Sequence, residues 1–297
     1  MRLITFSDGE GARLGVLSED GGQVVDLAAA VPDLPRDMTA LIALGPSMLQ
    51  RVRDAARAGE NGLSAADINV LAPIPRPTRN VFCVGKNYHE HAKEFHSSGF
   101  DATAGASAVP DVPIIFTKAP SSVIGPGQAI PAYLDSTDSL DYEGELAVVI
   151  GEGGRGIRAE DAYGHVFGYT LINDVTARNL QSRHKQWFLG KSFDGFCPMG
   201  PTLVTADQIP DVTALRLVTR VNGEIRQDAT LADLIFDIPV LIETISAGIT
   251  LEPGDIIATG TPEGVGIGFD PPRFLKSGDE VAITIEPIGE LKNSVEG

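Results

Sequence analysis

From residue 80 onward, glycine and proline cut the chain into short apolar runs of strand length, and this spacing constrains the fold more than any other feature. Asn80-Val84, Ile114-Thr117, Leu146-Ile150, Val166-Ile172, Leu215-Val221, Ile256-Thr259 and Val281-Ile285 each hold residues enough for one strand. Asn222-Gly223, between Leu215-Val221 and Glu224-Gln227, supplies two residues that tolerate positive φ and so predicts a type I′ hairpin. Predicted helices are few, Tyr88 to Phe95 and Ile238 to Ala247, the second closed by Gly248. With 33 Gly and 20 Pro to make the turns, the reading is a mainly β, α+β fold, a mixed β-sandwich or barrel-like roll.

The first residues differ in pattern. Residues 2 to 27 alternate apolar segments with Asp8-Gly9-Glu10-Gly11 and Asp20-Gly21-Gly22, as in a small antiparallel meander. Met38, Leu41, Ile42, Leu49, Val52 and Ala56 then recur at near-helical intervals, which predicts one helix ended by Gly59. Pro73-Ile74-Pro75-Arg76-Pro77 is a stiff connector, because successive prolines fix φ and remove donors. The expected organisation is a small N-terminal α/β domain (1–72), a connector (73–79) and a catalytic domain (80–297). Ser97 to Pro110, rich in Gly, Ala and Ser, is expected to be a mobile loop.

A net charge of −17 argues against nucleic acid or an anionic membrane as partner, since both require a basic surface. No stretch approaches the roughly 20 apolar residues of a membrane span, and Met1-Arg2-Leu3-Ile4-Thr5-Phe6 lacks the order of a signal peptide, so a cytoplasmic location is expected. Cys83 and Cys197 lack metal-site or redox spacing, which excludes thiolate-held zinc. An anionic ligand would have to be met by local cations.

Glu143 and Glu145 sit two apart at the mouth of the apolar run ending at Ile150, so both carboxylates share a face of the strand. Like charges side by side need a cation or a shared proton, and a divalent metal is the simplest answer; taken alone, the pair is better explained as a solvated strand entrance. A second buried run ends in Asn173-Asp174, and Asp174 is either a third oxygen ligand of a hard cation or a turn residue. His91 and Glu94 stand at i, i+3 of a predicted helix, where a carboxylate fixes the imidazole tautomer for a general base, with His89 and His96 as competitors. Lys191 lies in an aromatic setting with Trp187, Phe188 and Phe196 and offers a point charge for a carboxylate or oxyanion. Thr259-Gly260-Thr261 follows a strand and offers hydroxyls and amides to an anion. Gly151-Glu152-Gly153-Gly154-Arg155-Gly156, with Asp174 beyond it, matches a dinucleotide fingerprint, but Ile157 to His165 is too short and too weakly periodic for the covering helix an NAD-dependent oxidoreductase would need.

Taken in order, Gly85-Lys86-Asn87-Tyr88 with His91 and Glu94, Tyr142-Glu143-Gly144-Glu145, Asn173-Asp174-Val175-Thr176-Ala177-Arg178, Gly190-Lys191-Ser192-Phe193-Asp194 and Thr259-Gly260-Thr261-Pro262 resemble the fumarylacetoacetate hydrolase family, in its acylpyruvate hydrolase or hydroxymuconate isomerase-like branch. The resemblance implies a homodimeric mixed β-roll with Mg²⁺ or Mn²⁺, or the equally hard Ca²⁺, on Glu143, Glu145 and Asp174. It implies catalysis by His91, Glu94 and Lys191, a substrate-binding group of Arg178, Gln181, Thr259, Gly260, Thr261 and Lys118, and a lid at about 89–110. Val84 stands where the original hydrolase has a further Asp ligand, and Asn179 where many relatives have Asp, so a three-carboxylate site is expected. The expected activity is hydrolysis of a carbon–carbon bond in a small anionic keto acid of the acylpyruvate or fumarylacetoacetate type through a metal-stabilised enolate. The alternative is isomerisation or decarboxylation of hydroxymuconate- or oxaloacetate-type acids by the same enolate chemistry.

Overall fold

A computed structural model describes residues 1–9, 11–59, 62–101 and 107–297. The apolar runs become strands within one or two residues of their predicted ends: Val81–Gly85, Ile114–Lys118, Gly144–Ile150, Val166–Asn173, Arg216–Val221, Ile256–Ala258 and Glu280–Ile285. The strand Gly144–Ile150 is buried on both faces, which explains its unbroken apolar run. Leu146, Val148 and Ile150 point into one core with Leu217, Val221, Val281 and Ile283 of a second sheet. Ala147 and Val149 point into the other, with Leu27, Met38, Leu41 and Val52 of the N-terminal helices. The α+β class with mixed sheets is thus established.

The large sheet runs in the order Gly62–Ser64, Gln23–Asp26, Ala12–Leu17, Arg2–Ser7, Cys197–Thr205, Val166–Asn173, Gly144–Ile150, Ile256–Ala258, Val81–Gly85 and Ile114–Lys118. The expected meander is there, and its first strand hydrogen-bonds directly to Cys197–Thr205, with Leu3 opposite Leu203. One sheet therefore passes from the N-terminal strands into the strands that follow the connector. Five strands form the second sheet, Glu224–Thr230, Arg216–Val221, Glu280–Ile285, Gly289–Glu296 and Ile130–Pro131. Asn222 and Gly223 both adopt positive φ, 52° and 81°, as a type I′ hairpin requires.

One expectation is corrected. The single N-terminal helix is two, Met38–Ala43 and Pro46–Ala58. Gly45 at φ 73° turns the chain and Pro46, without an N–H, starts a new helix at its first position; Gly59 ends it in the left-handed region as expected. The dinucleotide fingerprint is a decoy, as expected, because Gly144–Ile150 and Val166–Asn173 are antiparallel neighbours, so the glycines between them belong to no parallel βαβ unit. A 3₁₀ segment, Ala159–His165, fills the connection.

Register explains why scattered motifs meet. Gly144 pairs with Asn173, Ala147 with Ala258, and Ala258 with Cys83. The C-terminal ends of Val81–Gly85, Val166–Asn173 and Ile256–Ala258 and the N-terminal end of Gly144–Ile150 therefore lie at one edge of the sheet. No helix among the described residues is long and apolar enough to cross a membrane.

Candidate active site

At that edge Glu143, Glu145 and Asp174 are all buried, and one carboxylate oxygen from each lies within 4.8 Å of the others. The backbone builds this cluster. Asp174 N–H donates to Glu143 O at 2.8 Å, and the Asn173 side chain accepts from Glu143 N–H at 3.0 Å. Gly260 N–H donates to Glu145 Oε2 at 2.9 Å, from a residue at φ 104° that only glycine adopts readily. Gln227 accepts from Gly144 N–H at 3.0 Å and donates to Thr261 Oγ1 and Pro262 O at 2.7 and 2.8 Å, tying the second sheet to the Glu-Gly-Glu turn.

Cations surround the cluster. Lys191 Nζ bridges Glu143 Oε2 and Asp174 Oδ2, each at 2.8 Å. Arg178 spans Glu143 Oε1 at 2.6 Å and Asp141 Oδ2 at 2.9 Å. Lys118 Nζ meets Asp174 Oδ1 at 2.6 Å, Val175 O at 3.0 Å and the Lys191 carbonyl. Burial works against the charges of Arg178 and Lys191, but Glu143 with Asp141 raises the first, and Asp174 with Glu143 the second, above their ordinary values. Burial likewise opposes ionisation of Glu143, yet Lys191 and Arg178 hold its acid low, at about 2.

Glu145 differs. Burial, then the charges of Asp174 and Glu143, push its acid well above the usual range. Among the described residues it has no ion-pair partner within 4.0 Å, and the nearby Lys191 charge and the bond from Gly260 are the compensation it receives. Burial also pushes Asp141 upward. Its two oxygens nevertheless accept from Tyr142, Gly266 and Ile267 N–H groups and from Arg178 Nε, a set of donors that only a carboxylate satisfies. Four carboxylates thus face three cations. A buried, oxygen-only donor set one positive charge short fits a hard divalent cation.

His91 Nδ1 lies 3.0 Å from Glu94 Oε2, and Glu94 Oε1 accepts from Gly264 N–H at 3.0 Å. An ionised carboxylate only accepts, so in the neutral imidazole Nδ1 carries the hydrogen and Nε2 keeps its lone pair. The helix is His89–Ser97; it buries His91, Ala92 and Phe95 and leaves His89 and His96 exposed. His91, Lys86, Glu143, Arg178, Gln181, Lys191 and Thr261 line one cavity with Phe95, Phe116 and Trp187, enclosing a free volume of about 10 Å³. Trp187 packs so closely on Gly85 that a side chain there would run into its ring.

Some expected substrate contacts are placed otherwise. Lys118 is fully buried outside the cavity lining, with all three N–H groups taken by acceptors, so it holds Asp174 rather than facing a substrate. The Thr259 hydroxyl donates to Leu146 O, and the Thr261 hydroxyl to Gly144 O while accepting from Gln227. These threonines and Gly260 fasten the Glu-Gly-Glu strand, although Thr261 also lines the cavity. Asp141 and Gln227 are site residues that the sequence reading passed over, while Lys86 and Asn173 entered it as motif positions without a role; the Asp-Tyr-Glu-Gly-Glu string adjoining the pair was the one local signal for Asp141. Of the lid expected at about 89–110, residues 102–106 lie outside the described residues.

The family description "fumarylacetoacetate (FAA) hydrolase C-terminal" matches residues 80–296. An oxaloacetate tautomerase of Bacillus subtilis (strain 168) is 54% identical over 232 residues, 78% of this chain and 74% of its own. A fumarylacetoacetate hydrolase structure from Exiguobacterium antarcticum superposes with a TM-score of 0.84 at 43% identity, covering 100% of this chain and 99% of the other. A maleylpyruvate hydrolase from Sphingobium sp. SYK-6, in complex with manganese(II) and pyruvate, gives a TM-score of 0.79 at 34% identity with coverage of 100% and 99%. Cluster, dyad and comparisons converge: this chain belongs to the fumarylacetoacetate hydrolase family of enzymes.

Proposed function

We propose that the protein is a divalent-metal-dependent keto–enol tautomerase acting on a short dicarboxylic 2-oxo acid of the oxaloacetate type. The observation that carries the reading is the His91–Glu94 pair opening onto the same cavity as Glu143, Arg178 and Lys191. The identity to a tautomerase, 54%, against 43% to a fumarylacetoacetate hydrolase and 34% to a maleylpyruvate hydrolase, supports isomerisation over the hydrolysis expected from sequence.

Glu143, Glu145 and Asp174 would hold Mg²⁺ or Mn²⁺, which supplies Lewis acidity toward keto and carboxylate oxygens. His91 Nε2 takes the proton from C3, the electron pair moves into the C2–C3 bond, and negative charge collects on the C2 oxygen. Glu94 keeps His91 in the basic tautomer and stabilises the imidazolium that forms. Lys191 and Arg178 lie on the cluster's edge and offset the charge that develops on oxygen. His91 then returns the proton to that oxygen. Phe95, Phe116 and Trp187 exclude bulk water and strengthen each of these interactions.

Carbon–carbon hydrolysis is the second reading, supported by the likeness to the maleylpyruvate hydrolase; it needs the same base with a water in line. A homodimer belongs to the proposal, and sedimentation at twice the monomer mass is the expected result. The deciding experiment follows enol-oxaloacetate decay by ultraviolet absorbance beside pyruvate release from acylpyruvates, both with Mg²⁺. Faster enol decay supports the tautomerase; efficient pyruvate release without it transfers the assignment to hydrolysis.

A further inference from the structure

We propose that Lys86 selects for a second carboxylate on the substrate, and that Asp101 occupies the Lys86 ammonium in the form described here. The inference deepens the keto-acid reading of the site and rests on it. Lys86 lines the same cavity as His91, Arg178 and Lys191. Arg178 and Lys191 already pair with Glu143, Asp141 and Asp174, which leaves Arg178 Nη2 buried without a hydrogen-bond partner, whereas Lys86 pairs outside the cluster, with Asp101 beyond the His89–Ser97 helix. Both side chains are almost fully buried, at 4% and 2% exposure. A buried ion pair contributes little net stability over an apolar one, so stability alone does not account for its place at a cavity wall. Lys86 also holds φ 55°, a left-handed conformation uncommon for a residue other than glycine and typical of functional positions.

The Phe95 ring sets the spacing. The Lys86 ammonium lies 5.5 Å from its centroid and the Arg178 guanidinium carbon 5.9 Å, so one ring carries two cationic poles. A short dicarboxylate can place one anionic end at the Arg178 side and the other on Lys86. Asp101 then stands in for that second end, and exchanging one carboxylate for another leaves the local charge unchanged. His96 Nδ1, 3.7 Å from Asp101 Oδ2, remains a partner for the displaced aspartate.

The test is calorimetric binding of malate and lactate to the Mg²⁺-loaded protein, two stable 2-hydroxy acids that differ by the second carboxylate. A charge-assisted bond predicts that malate binds on the order of tenfold to a hundredfold more tightly than lactate. Lys86→Met should abolish that preference with lactate affinity unchanged, and Asp101→Asn should tighten malate severalfold. The double variant Lys86→Met with Asp101→Asn leaves no lone buried carboxylate and should also lack the preference while melting near the wild type. Equal or absent malate binding in the wild type, or a preference that survives Lys86→Met, overturns the proposal, as does Asp101→Asn weakening malate. Absence of tautomerase activity would instead remove the proposed reaction and leave the malate preference standing.

Discussion

Asp141→Asn tests the reasoning about the charge network at a residue that touches no substrate. The isosteric amide keeps one acceptor oxygen but replaces the other with an NH₂ that faces Arg178 Nε or a backbone N–H, so at least one buried donor loses its partner. Arg178, 1% exposed, loses half of its charge compensation and keeps Glu143. Breaking a buried pair from one side costs about 3–5 kcal/mol. An unfolding entropy of about 2.1 cal/mol/K per residue, over 297 residues, gives roughly 0.6 kcal/mol/K. The melting temperature should therefore fall by about 5–8 °C. Differential scanning calorimetry of the metal-free protein measures it directly. A fall of less than about 2 °C would show that burial had already neutralised Asp141 and that the four-donor argument is wrong.

Four further outcomes follow from the same geometry. Because the Glu145 acid is raised by burial and by its acidic neighbours, the metal-free fold should lose stability as pH climbs from the unfolded value through the raised one, since the folded state there holds the extra proton. Mg²⁺ binding at pH below the raised Glu145 value should release a proton, measured by calorimetry in buffers of different ionisation enthalpy, and no buffer dependence would count against the assignment. Glu94→Gln should lower kcat by roughly tenfold to a hundredfold with little change in KM and should shift the acidic limb of the pH–rate profile, where His91 must lose its proton to act as base; an unchanged profile would deny it the positioning of His91. Gln227→Leu, which unties Gly144 from Thr261, should weaken Mg²⁺ by roughly tenfold to a hundredfold in titration calorimetry, and unaltered affinity would make Gln227 a packing residue only.

What was legible in the sequence is local. Strands with continuous apolar runs, the Asn222-Gly223 turn, the Glu143/Glu145 pair and the i, i+3 spacing of His91 and Glu94 each write their cause within a few residues. The strand Gly289–Glu296 was not legible because its alternation puts Asn293 at a core position, where its amide donates to Gly125 O and Gln128 O. Cys197–Thr205 carries two prolines and reads as turn, yet it joins the N-terminal meander to the central strands. Gly45-Pro46 did signal the helix break and was outweighed by periodicity. The support of the cluster is long-range, as Gln227 meets Gly144 from 83 positions away and Lys118 meets Asp174 from 56. Lys118 shows the cost of assigning a lysine to substrate from a motif: only its three acceptors reveal that it faces inward.

The central claim is that His91, held by Glu94, moves a proton beside a cation bound by Glu143, Glu145 and Asp174. Its most direct measurement is the rate of enol-oxaloacetate ketonisation by the wild type and His91→Ala, each with Mg²⁺ and after chelation, with Mg²⁺ affinity determined for both proteins. The account predicts that chelation abolishes wild-type catalysis, and that His91→Ala binds Mg²⁺ as the wild type does while losing at least about a hundredfold in kcat. Full activity in His91→Ala, or wild-type turnover indifferent to chelation, would contradict it.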